Sequence, residues 1–127
     1  MNAARRRREV LVIDDDPHVV AMVSAILSPD RFQVSGAEAG DAGIALATAR
    51  APDLILLDLE MPGKTGYQVC HLLKQDAATR RIPIVMLTAS DDPALNRTAY
   101  AAGAAACILK PFRRDAVIGV IEAALGS

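Results

Sequence analysis

The chain has 127 residues, the length of one domain with a core that needs no disulfide staples. Hydrophobic residues make up 52% and aromatic residues 3%, so the core must be aliphatic, with Ala used heavily on the helices. A net charge of -1 gives the domain as a whole no electrostatic case for direct nucleic-acid or membrane binding; no run approaches the roughly 18 apolar residues of a membrane span, and no apolar signal region follows the basic start.

Residues 1–8 read as a flexible basic tail containing Arg5-Arg6-Arg7-Arg8, and residues 9–127 as the domain. Contact between that tail and an acidic partner or nucleic acid would need more than four arginines to stand on. Val10-Leu11-Val12-Ile13 is a short apolar strand closed by Asp14 and Asp15. Asp16-Pro17 then starts a helix, with Asp16 as its cap, and Val19, Met22, Val23, Ile26 and Leu27 mark one buried face. Ser28-Pro29-Asp30 ends it, Phe32-Gln33-Val34 is a short second strand, and Asp41 to Arg50 is an Ala-rich helix burying Ala42, Ala45, Leu46 and Ala49. The third strand, Leu54-Ile55-Leu56-Leu57, is closed by Asp58. A Pro- and Gly-containing loop through Gly66 leads to a third helix with Val69, Cys70 and Leu73 inward. Ile84-Val85-Met86-Leu87 ends at Thr88, and Ser90-Asp91-Asp92-Pro93 caps a fourth helix that Gly103 terminates. The fifth strand, Ala106 to Leu109, is followed by Lys110, and the last helix starts near Phe112 and buries Val117, Val120, Ile121, Ala124 and Leu125. Cys70 and Cys107 read as buried thiols of a reducing compartment, which places the chain in the cytoplasm.

Five strands alternating with five helices predict a doubly wound α/β sandwich of three layers, with a five-stranded parallel sheet between helices. In such folds ligands bind beyond the carboxyl ends of the strands, where Asp14, Asp15, Asp58, Thr88 and Lys110 all fall. Three carboxylates there need a counter-charge, and magnesium suits a few carboxylates plus water and phosphate oxygens. Lys110 and Thr88 supply a cation and a hydroxyl for phosphate oxygens, and Asp58 is the candidate nucleophile, forming an aspartyl phosphate.

Four strings, Val10 to Pro17, Asp53 to Gly63, Pro83 to Ala89 and Lys110-Pro111-Phe112, resemble the response-regulator receiver domain of two-component signalling over about residues 9 to 125. The resemblance implies the strand order 2-1-3-4-5 of flavodoxin-like folds. It implies Asp58 as phospho-acceptor and Asp15 as a direct magnesium ligand, with Asp14 acting through water or a hydrogen bond and the backbone carbonyl of Glu60 as a further ligand. Thr88 becomes the switch hydroxyl, Lys110 the lysine that pairs first with the carboxylate and then with the phosphate, and Lys110-Pro111 a cis bond. Glu60 and Ser90 correspond to positions that flank the hydrolytic water and tune phosphate lifetime. Two departures stand out: Cys107 occupies the usual aromatic switch position, and the fourth and fifth helices lack the dense charges of receivers that dimerise to bind DNA. Tyr100 is not at the matching aromatic position. A monomer or weak dimer is expected, and His18 and His71 have no role in the site.

The reading is thus a signalling protein that accepts a phosphoryl group from a sensor histidine kinase or phosphotransfer protein and switches the binding of an effector protein, catalysing only its own phosphorylation and dephosphorylation. Two alternatives stay open. A phosphorylation-independent interaction module would keep the fold and ignore Asp58. A small phosphatase of the haloacid-dehalogenase type would use the Asp-x-Asp within Asp14-Asp15-Asp16, but Pro17 stands where that family wants Thr or Val, and Asp58 would have no task.

Overall fold

The computed structural model describes residues 7–126. In chain order these form β1 (Arg8–Ile13), α1 (Pro17–Ile26), β2 (Phe32–Ala37), α2 (Gly40–Arg50), β3 (Leu54–Asp58), α3 (Gly66–Gln75), β4 (Ile84–Thr88), α4 (Pro93–Ala102), β5 (Ala106–Leu109) and α5 (Arg114–Leu125). All four strand pairings are parallel, and the sheet runs β2-β1-β3-β4-β5. This is the three-layer architecture and strand order expected from the sequence.

Strand pleating divides the core in two. Leu11, Ile13, Ile55, Leu57, Ile84 and Met86 face one side, where Ala47, Val69, Leu73 and Ala99 of α2, α3 and α4 cover them. Val10, Val12, Leu54, Leu56, Val85 and Ile108 face the other, against Val19 and Val23 of α1 and Val117 and Ile121 of α5. Because both faces of β1, β3 and β4 are covered, these strands are near-continuous apolar runs rather than alternating ones. Each fully buried aliphatic side chain contributes roughly 1.5–3 kcal/mol.

Several boundaries and faces differ from expectation. β2 continues past Val34 to Ala37: it is an edge strand, so Gln33, Ser35 and Gly36 stay partly or wholly exposed and carry little apolar signal. α2 buries Gly40, Gly43 and Ala47, with Leu46 half-buried, while Ala42, Ala45 and Ala49 face solvent. Met22 of α1 is 42% exposed, beside the buried Val19–Val23 stripe rather than in it. α5 begins at Arg114, with Arg113 still extended as its N-cap; Lys110-Pro111 is cis, as the resemblance implied, and Val120, Ala124 and Leu125 of α5 are only half-buried. Cys70 is buried as expected, whereas Cys107 is half-buried.

Most of the tail expected over residues 1–8 lies outside the described residues. Arg8 opens β1, and the Arg7 guanidinium donates to the Pro29 carbonyl at 3.4 Å and to Gln33 Oε1 at 3.3 Å. No helix among the described residues is long and apolar enough to cross a membrane.

Candidate functional site

The carboxyl ends of β1, β3, β4 and β5 form one edge, and parallel register holds their end residues side by side: Ile13 pairs with Leu57, Asp58 with Leu87 and Thr88 with Leu109. Residues just beyond these pairs therefore converge without any long-range loop. Asp14, Asp15 and Asp58 each offer a carboxylate oxygen within 4.8 Å of the others. Lys110 reaches across them. Its Nζ donates to Asp14 Oδ2 at 3.1 Å and to Asp58 Oδ1 at 3.4 Å.

The carboxylates differ in setting. Asp14 is fully buried, its second oxygen accepting the Asp16 N–H at 2.9 Å. Asp15 is exposed. Asp58 is 6% exposed, and its Oδ1 also accepts the Glu60 N–H at 3.3 Å. Burial, and then the neighbouring charge of Asp14, push the Asp58 carboxyl up to about 6, against the pull of Lys110 and the Glu60 N–H. Burial alone would lower the Lys110 ammonium, but its bond to Asp14 and the charge of Asp58 outweigh that and raise it. The site holds more negative charge than its one lysine neutralises.

Thr88 and Asp16 are both placed by local turns. The Thr88 hydroxyl donates to the Ser90 carbonyl at 3.2 Å and accepts the Ser90 N–H at 3.1 Å, so it lies on the edge beside Asp58 with its bonds turned into the following loop. Asp16 accepts the His18 N–H at 2.9 Å and caps α1, and that bond holds its carboxyl below the usual range. Glu60 is exposed, as are His18 and His71, which take no part in the cluster.

Supports that the sequence reading passed over come from α3. Thr65 and Gln68 form a reciprocal capping box at its start, a Thr-x-x-Gln signal present in the sequence. Gly66 packs against the backbone of Asp58 and Leu59, and its N–H donates to the Leu59 carbonyl at 3.0 Å. A Cβ there would overlap the Asp58 carbonyl oxygen, so the close seating of α3 under Asp58 needs glycine.

The donor set fits a hard divalent cation: three carboxylate oxygens converge, no nitrogen or sulfur ligand is among them, and one side opens to solvent at Asp15. Such an edge can hold magnesium beside a nucleophilic carboxylate and can receive a phosphoryl group whose oxygens meet the metal, Lys110 and a hydroxyl.

Comparison with known proteins agrees with this chemistry. The DNA-binding response regulator MtrA of Mycolicibacterium smegmatis is 37% identical over 94% of this chain, which spans about half (51%) of that relative's length. The chemotaxis response regulator CheY4 of Vibrio cholerae superposes with a TM-score of 0.87 at 27% identity, covering 94% of this chain and 99% of that one. The receiver domain of a sensor histidine kinase from Pseudomonas aeruginosa PAO1, solved with a magnesium ion in its active-site cleft, gives 0.85 at 25% identity, covering 96% of this chain and 100% of that one. The sequence profile described as the response regulator receiver domain matches residues 10–122, and the chain belongs to that family of two-component signalling domains.

Proposed function

We propose that this receiver takes a phosphoryl group from the phosphohistidine of a cytoplasmic sensor kinase or phosphotransfer protein onto Asp58, and that the modified edge changes the affinity of an effector protein. An Asp58 carboxylate oxygen attacks phosphorus, the P–N bond to the donor imidazole breaks, and the ring nitrogen keeps the electron pair. The observation that carries this reading is the bridge from Lys110 to both Asp14 and Asp58 beside three converging carboxylates. Asp14, Asp15, Asp58 and the Glu60 carbonyl would hold magnesium, which when bound neutralises charge on the transferring phosphoryl oxygens. Lys110 gives up its bond to Asp58 to meet a phosphoryl oxygen and keeps Asp14. Thr88 leaves its Ser90 turn to donate to another, which couples phosphate to the loop before α4.

Glu60 and Ser90, each two residues beyond Asp58 and Thr88, border the approach of water and set the lifetime of the phosphate. With Cys107 in place of a bulky ring, the switch relies on Thr88 and that loop rather than on an aromatic rotation. The domain's catalysis is confined to its own phosphorylation and hydrolysis, and it works as a monomer or weak dimer. Intact mass after incubation with acetyl phosphate and magnesium tests the reading. One phosphate adduct is expected, absent without magnesium and absent in Asp58→Asn. Wild-type protein that gains no adduct and also fails to bind beryllofluoride would overturn it, leaving an interaction module that does not use phosphorylation.

A further inference from the structure

The near-neutral net charge hides a division between the two ends of the sheet. The site's acids lie beyond the carboxyl ends of the strands; the opposite edge, where the strands begin, gathers Arg7, Arg8, Arg31, Arg50, Arg80 and Arg81. Register sets them in a row. Arg8 pairs with Phe32, which brings Arg31 level with Arg7 on the neighbouring strand. Val10 pairs with Leu54 and Ile55 with Ile84, so β4 starts level with β1 across β3, and Arg80 and Arg81 stand in the turn just before it, which the Ile82 N–H closes by donating to the Thr79 carbonyl at 3.0 Å. At about 4.8 Å per strand the row spans roughly 14 Å from β2 to β4.

Most acids of this edge, Asp30 excepted, are already engaged. Glu9 meets Arg50 at 3.5 Å, Asp53 accepts the Glu9 N–H at 2.8 Å, and Asp76 accepts the Ala78 N–H at 2.9 Å. Arg31 reaches Glu122 at 3.8 Å. Among the described residues the guanidiniums of Arg8, Arg80 and Arg81 have no hydrogen bond or ion pair, and Arg7 meets only neutral oxygens. All four are exposed. Arg5 and Arg6 directly precede Arg7 and Arg8 in sequence.

We propose that this arginine edge is a docking surface for an acidic protein segment, an extended stretch with Asp or Glu at alternate positions. Same-side side chains of an extended strand recur at about 6.6 Å, so three carboxylates fit the row, each within reach of a planar guanidinium fork. Glu9, Asp30, Asp53 and Asp76 interleave with the arginines in sequence, so the positive charge comes as separated points and not as the continuous track that the closely spaced phosphates of a duplex call for. Among the described residues no exposed aromatic ring sits on the edge to stack a base: Phe32 is buried, and Tyr67 and Tyr100 belong to α3 and α4. The surface lies across the sheet from Asp58, so a segment could stay bound while the acceptor turns over.

Fluorescence anisotropy with a labelled decapeptide of alternating Glu and Ser tests this, with its Gln counterpart as control, at about 20 and about 300 mM salt. Binding of the Glu peptide alone is expected, strongest at low salt. Arg80→Ser/Arg81→Ser and Arg7→Ser/Arg8→Ser should each weaken it about three- to tenfold, while Arg113→Ser, exposed at the start of α5 beyond β5, leaves it unchanged. Thermal unfolding checks that each variant folds. No binding, or equal loss in Arg113→Ser, overturns the proposal. So does tighter binding of oligothymidylate or phosphatidylserine vesicles through the same arginines, or salt-sensitive self-association in sedimentation that the edge variants abolish.

Discussion

Asp14 is withdrawn completely from solvent yet sits within reach of two other carboxylates, so its charge must be met inside the protein. Two groups meet it, the Asp16 N–H and Lys110. Removing a partner from a buried ion leaves an uncompensated charge, which costs more than the intact pair contributes. Lys110→Met keeps the apolar stem and deletes the ammonium; in metal-free protein at neutral pH it should lose about 2–3 kcal/mol, a little below the fully buried case because Lys110 is partly exposed. Chemical denaturation reads this directly, and excess magnesium should restore most of the loss. A Lys110→Met protein as stable as wild type without metal would show that Asp14 does not depend on that cation. Cys70 gives a second check. Burial pushes its thiol up to about 11, so an alkylating reagent at neutral pH should modify it only after unfolding, with native labelling confined to the half-buried Cys107.

At the scale of elements, α3 is the helix seated directly against the backbone of Asp58. Gly66→Ala would force its first turn off the Asp58 and Leu59 backbone, with a contact of 2.7 Å to Leu59 Cα. A destabilisation of about 1–3 kcal/mol is expected, together with slower labelling by acetyl phosphate, because the displaced backbone carries Asp58, the proposed acceptor; unchanged labelling at full stability would refute that role for α3. Such contacts explain which elements could be read from the sequence. β1, β3 and β4 were legible because a strand covered on both faces is an apolar run, and their polar end residues follow from where the run stops. α2 was legible as a helix but its buried face was not: that face is built on Gly40, Gly43 and Ala47, and a Cβ on Gly43 would come within 2.5 Å of Ile13 Cδ1. A helix that approaches a sheet through missing side chains has no apolar stripe, and its many exposed alanines imitate one. Met22 misled for the related reason that a long apolar side chain at the margin of a stripe counts towards the period while lying in solvent. The turn that engages the Thr88 hydroxyl was invisible because it depends on the loop conformation at Ser90, not on residue type.

For the whole molecule, the doubly wound fold concentrates its acids at one end without any cost to the core, and the resulting strain is electrostatic and pH-dependent. Asp58 titrates at 3.8 when unfolded and at about 6 in the folded domain. Below about pH 4 the group is protonated in both states and costs nothing. As pH rises from about 4 to 6 the unfolded chain loses the proton while the native state still holds it, so this group's effect is to lower stability over that window and leave it low above it. Asp58→Asn removes the effect, since the amide never ionises. The melting temperature of the variant should therefore match wild type near pH 4 and exceed it increasingly up to about pH 6.5, then hold a constant margin. A shift of this size, reduced for the screening by solvent beside Asp15, amounts to about 2 kcal/mol, or roughly 6–10 °C for a domain of this length. Magnesium should act in the opposite sense. At a hundredfold excess over its dissociation constant a ligand of the native state adds about 2.7 kcal/mol, and here that gain should appear above pH 6, fade as Asp58 protonates, and be absent from Asp58→Asn. Parallel melts of both proteins from pH 4 to 8, with and without magnesium, separate the two effects. A margin that is flat across the range would show that the carboxylate cluster stores no strain, whatever the metal does.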